Sequence, residues 1–376
     1  MRRLVRAALV LACGVAPALS SCTGCYYMRV GFGQAKVLLG REPIDDVLAS
    51  GRLDPDEQAK LALVPKVRAF AQDSLGLVKN GSYTKFYDTG TRPVSWNVSA
   101  CEATAFRPYE WSFPFVGAAP YKGFFDLDQA KDEAARLREA GYDVQVSEVG
   151  AYSTLGWFDD PVFRRMLSRD VYDLSNMIVH ELTHATVFKS GDVSFNESVA
   201  TFVGNEGALA FLAHQFGPRS RELEGARDAI ADEAVFAGFI DSLYARLDAL
   251  YGGPGSAAAK RAGREEVFAE AKAEFEAIRV KRMREPEAWT WFAKRKLDNA
   301  MILAFKRYHT DLDVYRDVLT LCGGDFKEAL AIYREAAESD DPRAALGQWR
   351  TWAARNPPAQ GGGRYGGKER QQGGGA

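Results

Sequence analysis

Histidine and cysteine are scarce in this chain, four and five among 376 residues. So few cysteines exclude a disulfide-stapled scaffold, and there is no pair of C-x-x-C motifs to build a zinc ribbon. The single such spacing, Cys22-Thr-Gly-Cys25, follows an N-terminal apolar segment and has no partner motif. An excess of either charge is missing too, with 48 Lys+Arg against 50 Asp+Glu and a formal net charge of −2. A chain without a basic surplus cannot neutralise a run of phosphates, so nucleic-acid binding is disfavoured. The N-terminal apolar stretch, Leu4 to Ala18, is shorter than the ~20 residues a spanning helix needs.

Against this background, two of the four histidines fall in one short stretch, Met177-Ile-Val-His180-Glu181-Leu-Thr-His184-Ala185. The spacing is H-E-x-x-H, a zinc-protease pattern. On a helix, residues four apart lie roughly 40° apart around the axis and about 6 Å along it, so both imidazoles can reach one ion. Glu181 falls on the flank, where a general base can act on water without itself ligating the metal. The competing reading is a pair of satisfied core histidines on a buried helix. Helicity follows from Asp173 as N-terminal cap and from the apolar stripe Leu174, Ile178, Leu182 and Ala185, extended by Met177, Val187 and Phe188.

A catalytic zinc takes three protein ligands and leaves one position open. Gly191 allows a turn, after which Ser194-Phe-Asn-Glu197-Ser-Val-Ala-Thr201 begins a second apolar helix running to about Phe216. Glu197 is thirteen residues beyond His184, enough to turn and come back alongside. Ser194 and Glu197 also spell a capping box, so Glu197 could instead close its own helix. Ala200 and Gly204 are small enough to let the two helices approach closely.

His180-Glu-Leu-Thr-His184 followed by Asn196-Glu197 resembles the gluzincin pattern of thermolysin-like and aminopeptidase-type metalloenzymes. More closely, the run Val149 to Pro161, the HELTH, Phe195 to Thr201 and Asp298-Asn299-Ala300 are similar to a family of bacterial lipoproteins classed as zinc aminopeptidases. The resemblance spans roughly Tyr26 to Trp352. It implies zinc held by His180, His184 and Glu197, with Glu181 as base. The chain departs from the thermolysin-like pattern at Thr201, where those enzymes carry an aspartate that orients a histidine, so the surroundings of the ligands must be built differently. The G-x-M-E-N segment with which one large aminopeptidase family holds a free amine is absent from the sequence.

Arg2, Arg3 and Arg6 make a positive n-region around the start of the apolar segment, and Leu19-Ser-Ser-Cys22 closes it as a small-residue cleavage site. The tetrapeptide resembles the bacterial lipobox, which implies lipidation of Cys22 and a membrane-anchored protein of the cell envelope, in the outer membrane if the cell is Gram-negative. A plain secretory peptide and an uncleaved anchor are the alternatives. With Cys13 removed and Cys22 lipidated, Cys101 with Cys322 is the one long-range disulfide to test.

Five segments are expected: a signal peptide (1–21), an N-terminal helical region (22–81), a zincin-like core (82–218), a helical region (219–355) and a glycine-rich tail (356–376) too poor in apolar residues to fold. Asp54-Pro-Asp-Glu57 predicts a helix start. Strands are expected at Val94 to Val98, Trp111 to Val116, Tyr121 to Phe125 and Val144 to Val149, with a helix from Leu127 to Ala140. Gln145 to Tyr152 is the candidate edge strand for an extended peptide. Phe236 to Leu250 and Val267 to Ile278 have the spacing of a helical hairpin whose aromatic stripe is core. A single helix after Pro286 would turn Trp289, Phe292, Met301 and Tyr308 inward, and Gly323-Gly-Asp325 restarts another at Phe326. The fold class is α+β, zincin-like, with a small mixed sheet, the H-E-x-x-H helix and a mostly helical C-terminal region.

These features point to a zinc-dependent peptidase, an aminopeptidase by resemblance, acting on peptides. Tyr152 is the first candidate for stabilising the developing oxyanion, with Tyr308 or His309 behind it and Asn299 able to line the site. The rival class is a membrane-tethered binding or assembly protein whose zinc is structural or absent, with the charged hairpin from about Ser220 to Arg284 docking a partner.

Overall fold

The computed structural model describes residues 22–90, 92–113, 117–149, 154, 158–308 and 312–356, with side chains from residue 26 onward. The expected signal segment, Tyr152, His309 and the glycine-rich tail lie outside the described residues, as does the side chain of Cys22.

The N-terminal part is helical: α1 (Cys22–Gly40), a short strand β1 (Glu42–Pro43), α2 (Ile44–Ser50) and α3 (Pro55–Phe70). Helix α3 starts where its sequence predicts. Asp54 accepts a hydrogen bond from the Glu57 N–H at 2.9 Å, Glu57 reaches back to the Asp54 N–H, and proline fills the first turn.

Strands β2 (Lys85–Tyr87), β3 (Ser95–Glu102), β4 (Trp111–Phe113), β5 (Gly117–Ala119) and β6 (Tyr121–Phe124) follow, then α4 (Leu127–Glu139), β7 (Tyr142–Val149) and β8 (Val162–Phe163). In place of the one small mixed sheet expected, the described strands form three sheets, β1-β2-β8, β6-β3-β7 and β4-β5. Only the first is mixed, β2 running parallel to β8 and antiparallel to β1. Pro93, Pro108 and Pro120 cut the strand-forming sequence into pieces that cannot continue one ladder.

In the β6-β3-β7 sheet, alternation along the strands separates two faces. Val98, Ala100 and Val144 pack with Ala130, Ala134 and Leu137 of α4. Ser95, Asn97, Ser99 and Ser147 point the other way and line a cleft. Among the described residues β7, which carries the Gln145 to Val149 part of the candidate edge, pairs with β3 alone.

The rest is helical: α5 (Val171–His184), α6 (Val193–Phe216), α7 (Arg221–Gly252), α8 (Ala257–Arg282), α9 (Trp291–Lys294), α10 (Asn299–Tyr308), α11 (Leu312–Leu321), α12 (Phe326–Glu338) and α13 (Pro342–Arg355). The single helix expected after Pro286 is broken instead. Arg295 is extended (ψ 145°), and Asp298 restarts the chain as α10 by accepting from the Met301 N–H at 2.9 Å.

One apolar cluster joins the N-terminal helices with α5, α6 and α11–α13, and includes Leu61, Ile178, Phe202, Tyr315 and Leu346. A second fills the α7–α8 hairpin, where the aromatic stripe of Phe236, Phe239 and Phe275 meets Phe292 and Met301. A buried polar joint ties the sheet to that hairpin. Arg264 donates to Asp143 at 2.7 and 3.2 Å, and Asn299 donates to Glu102 O at 2.9 Å while accepting from the Tyr251 hydroxyl at 2.8 Å. Gln145 donates to Asp298 at 2.7 Å in the same joint. Asn299, expected to line the site, is therefore a fully buried strut away from it.

Cys101 and Cys322 are both buried, and no disulfide joins them. The Cys101 thiol donates to Ala105 O within its own turn, and Cys322 sits in the main apolar cluster, so the disulfide does not form. Among the described residues no helix is long and apolar enough to cross a membrane.

Candidate metal centre

Helix α5 is capped by Asp170, whose carboxylate accepts from the Asp173 N–H at 2.7 Å. Asp173, the expected cap, is instead the third helical residue and faces the cleft. Either aspartate could cap on sequence alone; the extended Arg169 before Asp170 decides where the helix begins. Leu174, Ile178 and Leu182 enter the core, which turns Asn176, Met177, His180, Glu181 and His184 to the cleft.

Helix α6 returns after Gly191, which is left-handed (φ 80°). The return is clamped by Asn196, whose side chain accepts from the Lys189 N–H at 2.7 Å and donates to Lys189 O at 2.8 Å. Asp192 caps α6 by accepting from the Phe195 N–H at 2.8 Å, while the Ser194 hydroxyl takes a hydrogen bond from Arg343. The capping box of Ser194 with Glu197 therefore does not form, and the Glu197 carboxylate faces α5. Gly204 makes the close approach possible, because a Cβ there would stand 3.2 Å from the His180 Cβ.

The result is a buried cluster of His180, His184 and Glu197 whose ligand atoms all lie within 4.8 Å of one another. His180 Nε2 and His184 Nε2 are 3.1 Å apart, and Glu197 Oε2 lies 3.4 Å from the first and 3.7 Å from the second. Ligands about 2.0–2.1 Å from a tetrahedral zinc are separated by roughly 3.3–3.4 Å. The observed separations of the two imidazole nitrogens and the carboxylate oxygen, 3.1, 3.4 and 3.7 Å, are close to those values.

Electrostatics suit the same use. Burial drives His184 down to about 4, leaving a neutral imidazole at physiological pH. Burial opposes charge on His180 and Glu197 as well, but their mutual hydrogen bond and neighbouring charges win, so the histidine is raised and the carboxylate lowered. Burial, with the nearby Glu197 and Asp160 carboxylates, lifts Glu181 to about 7, the range of an effective general base.

The cleft over the cluster has a volume of about 800 Å³ and is walled by α5, the polar face of the β6-β3-β7 sheet and the end of α10. Tyr308 is 6.5 Å from the His180 ring, centroid to centroid. The charge of Glu197 and burial hold its hydroxyl protonated, so it is a donor. Tyr152 and His309, the other oxyanion candidates, lie outside the described residues. Tyr121 and Arg307, which belong to no sequence motif, also line the cleft. Their one visible signal was a period-2 position on β6 and a cation among apolar residues of α10.

A family model described as "Putative aminopeptidase" matches residues 25–345. No curated protein and no solved structure matches the chain.

Proposed function

The chain belongs to the family described as "Putative aminopeptidase", and on that premise we propose that it is a zinc-dependent peptidase acting in the cleft above His180, His184 and Glu197. The observation that carries the reading is the spacing of those three donors, which suits a single zinc ion. His180, His184 and Glu197 would hold the ion. When bound, it supplies Lewis acidity, polarising a carbonyl and lowering the pKa of water.

Glu181 is the proton carrier. Its carboxylate accepts a proton from the attacking water and returns it to the leaving amine, the two transfers a general base beside the ligands has to make. The Tyr308 hydroxyl donates to the oxygen on which negative charge grows. The sheet face of Ser95, Asn97 and Ser99 offers hydroxyl and amide groups to a peptide backbone. An anchor on Cys22 would hold this cleft at the cell envelope, within reach of envelope peptides.

Purified protein tests the reading through two substitutions. Glu181→Gln should keep one zinc per chain and lose turnover, whereas His180→Ala should lose both. Retained hydrolysis in Glu181→Gln would eliminate the mechanism. A zinc whose removal unfolds the chain, with no hydrolysis of free or N-blocked peptides, would favour the assembly-protein reading instead. Comparing free with N-blocked peptides separates exopeptidase from endopeptidase cleavage.

A further inference from the structure

Arg307 sits one residue before the end of α10 and lines the cleft that holds the His180, His184 and Glu197 cluster. Its guanidinium carbon lies 5.3 Å from the centroid of the Tyr121 ring on β6. Among the described residues Arg307 forms no salt bridge, unlike Arg264, which is fully engaged with Asp143. Stacking on an aromatic face holds the guanidinium plane while leaving its fork of N–H donors open. The cation is also close enough to the ligand carboxylate to help lower the pKa of Glu197.

A half-buried, always-charged fork in a cleft that also presents the Ser95, Asn97 and Ser99 side chains is suited to a planar anion, and carboxylate is the planar anion that peptides carry. We propose that Arg307, oriented by Tyr121, binds a carboxylate of the substrate, which makes short peptides ending inside the cleft the preferred class. This inference rests on the peptidase reading for the word substrate, but not for the binding itself. A cleft of about 800 Å³ has the size of a small-ligand pocket rather than a groove for a long chain. A terminal carboxylate and an acidic side chain share the chemistry, and the ligands tested can tell them apart.

The experiment is calorimetric binding to zinc-loaded Glu181→Gln protein of three peptides with free N-termini: trialanine, its C-terminal amide, and an amidated tripeptide containing one glutamate. Trialanine should bind about 10- to 100-fold more tightly than its amide, the range of a charge-assisted hydrogen bond. Adding Arg307→Gln should reduce that ratio to near one with zinc affinity unchanged, and Arg307→Lys should keep part of it. Tight binding of the glutamate peptide as well would identify the side chain as a second source of the same carboxylate. Equal binding of acid and amide, or an acid preference that survives Arg307→Gln, would overturn the proposal. So would loss of zinc in Arg307→Gln and Arg307→Lys alike, which would make Arg307 a support for Glu197. Because binding is read without turnover, absent hydrolysis by the unmodified protein counts against the peptidase reading alone.

Discussion

Gly204 on α6 lies so near His180 on α5 that an added Cβ would meet the His180 Cβ at 3.2 Å and the Asn176 Oδ1 at 2.8 Å. Asn176 cannot swing away freely, since its amide is held by Tyr172 and Asn205. Gly204→Ala should therefore push α5 from α6 and disturb the separation of His180 from Glu197. Overpacking of this kind costs about 1–3 kcal/mol. Zinc affinity, measured by competition with a chromophoric chelator, should fall at least tenfold, and Gly204→Val should do worse. An unchanged zinc affinity in both variants would show that helix separation does not set the site.

In the proposed mechanism Tyr308 serves the developing oxyanion and is not one of the three residues that would hold the ion. Tyr308→Phe should lower kcat by roughly 10²–10³-fold, the loss that follows removal of an oxyanion donor, with KM and zinc content nearly unchanged. A rise in KM with kcat preserved would instead assign the hydroxyl to ground-state binding, and steady-state kinetics on one peptide separates the two.

Local patterns were legible in sequence where the physics is local. The four-residue spacing of His180 and His184 fixes their common face on any helix, and Asp54 with Glu57 close their capping box without help from distant residues. The role of Glu197 depends on which residue caps α6: Ser194, the cap its sequence suggests, takes a hydrogen bond from Arg343 of the last helix, and Asp192, which the sequence pattern does not mark, caps instead. Asn299 and Arg307 were harder still. Both lie on α10, and which of them meets the cleft depends on the joint with Asp143 and Glu102, more than 150 residues earlier. The break after Pro286 is hidden in the sequence because Asp298 restarts the helix by capping, a signal that reads equally as an exposed acidic residue.

Asp160 gives the fold a specific pH dependence. It is 4 % exposed, its Oδ1 has no hydrogen-bond partner among the described residues, and burial raises its pKa to about 6 from the ordinary 3.8. A carboxyl raised on folding binds its proton more tightly in the folded state, so this residue's contribution to stability falls as pH climbs from about 4 to 6 and is level above. Asp160→Asn removes the titration. Relative to the unsubstituted protein, the variant should gain roughly 1 kcal/mol between pH 5 and pH 7.5, whatever its starting offset. Urea unfolding at the two pH values measures the gap, and a gap that stays constant rules out Asp160 as the titrating group.

The joint between Arg264 and Asp143 offers a way to separate the metal from the rest of the cleft. Both side chains are nearly inaccessible, at 8 % and 11 %, so removing the arginine strands a buried carboxylate that, among the described residues, keeps the Asn299 N–H at 3.0 Å. Breaking one half of a buried pair typically costs about 3–5 kcal/mol, whereas Arg264→Met with Asp143→Leu should cost less than Arg264→Met alone. The joint fixes the start of α10, whose far end carries Arg307 and Tyr308, while the three metal donors belong to α5 and α6 in a different apolar cluster. Arg264→Met should consequently lower the unfolding midpoint and impair peptide turnover with zinc affinity intact. Parallel loss of zinc would mean that the two clusters move together and that the sheet, not the α5–α6 pair, sets the positions of His180 and His184.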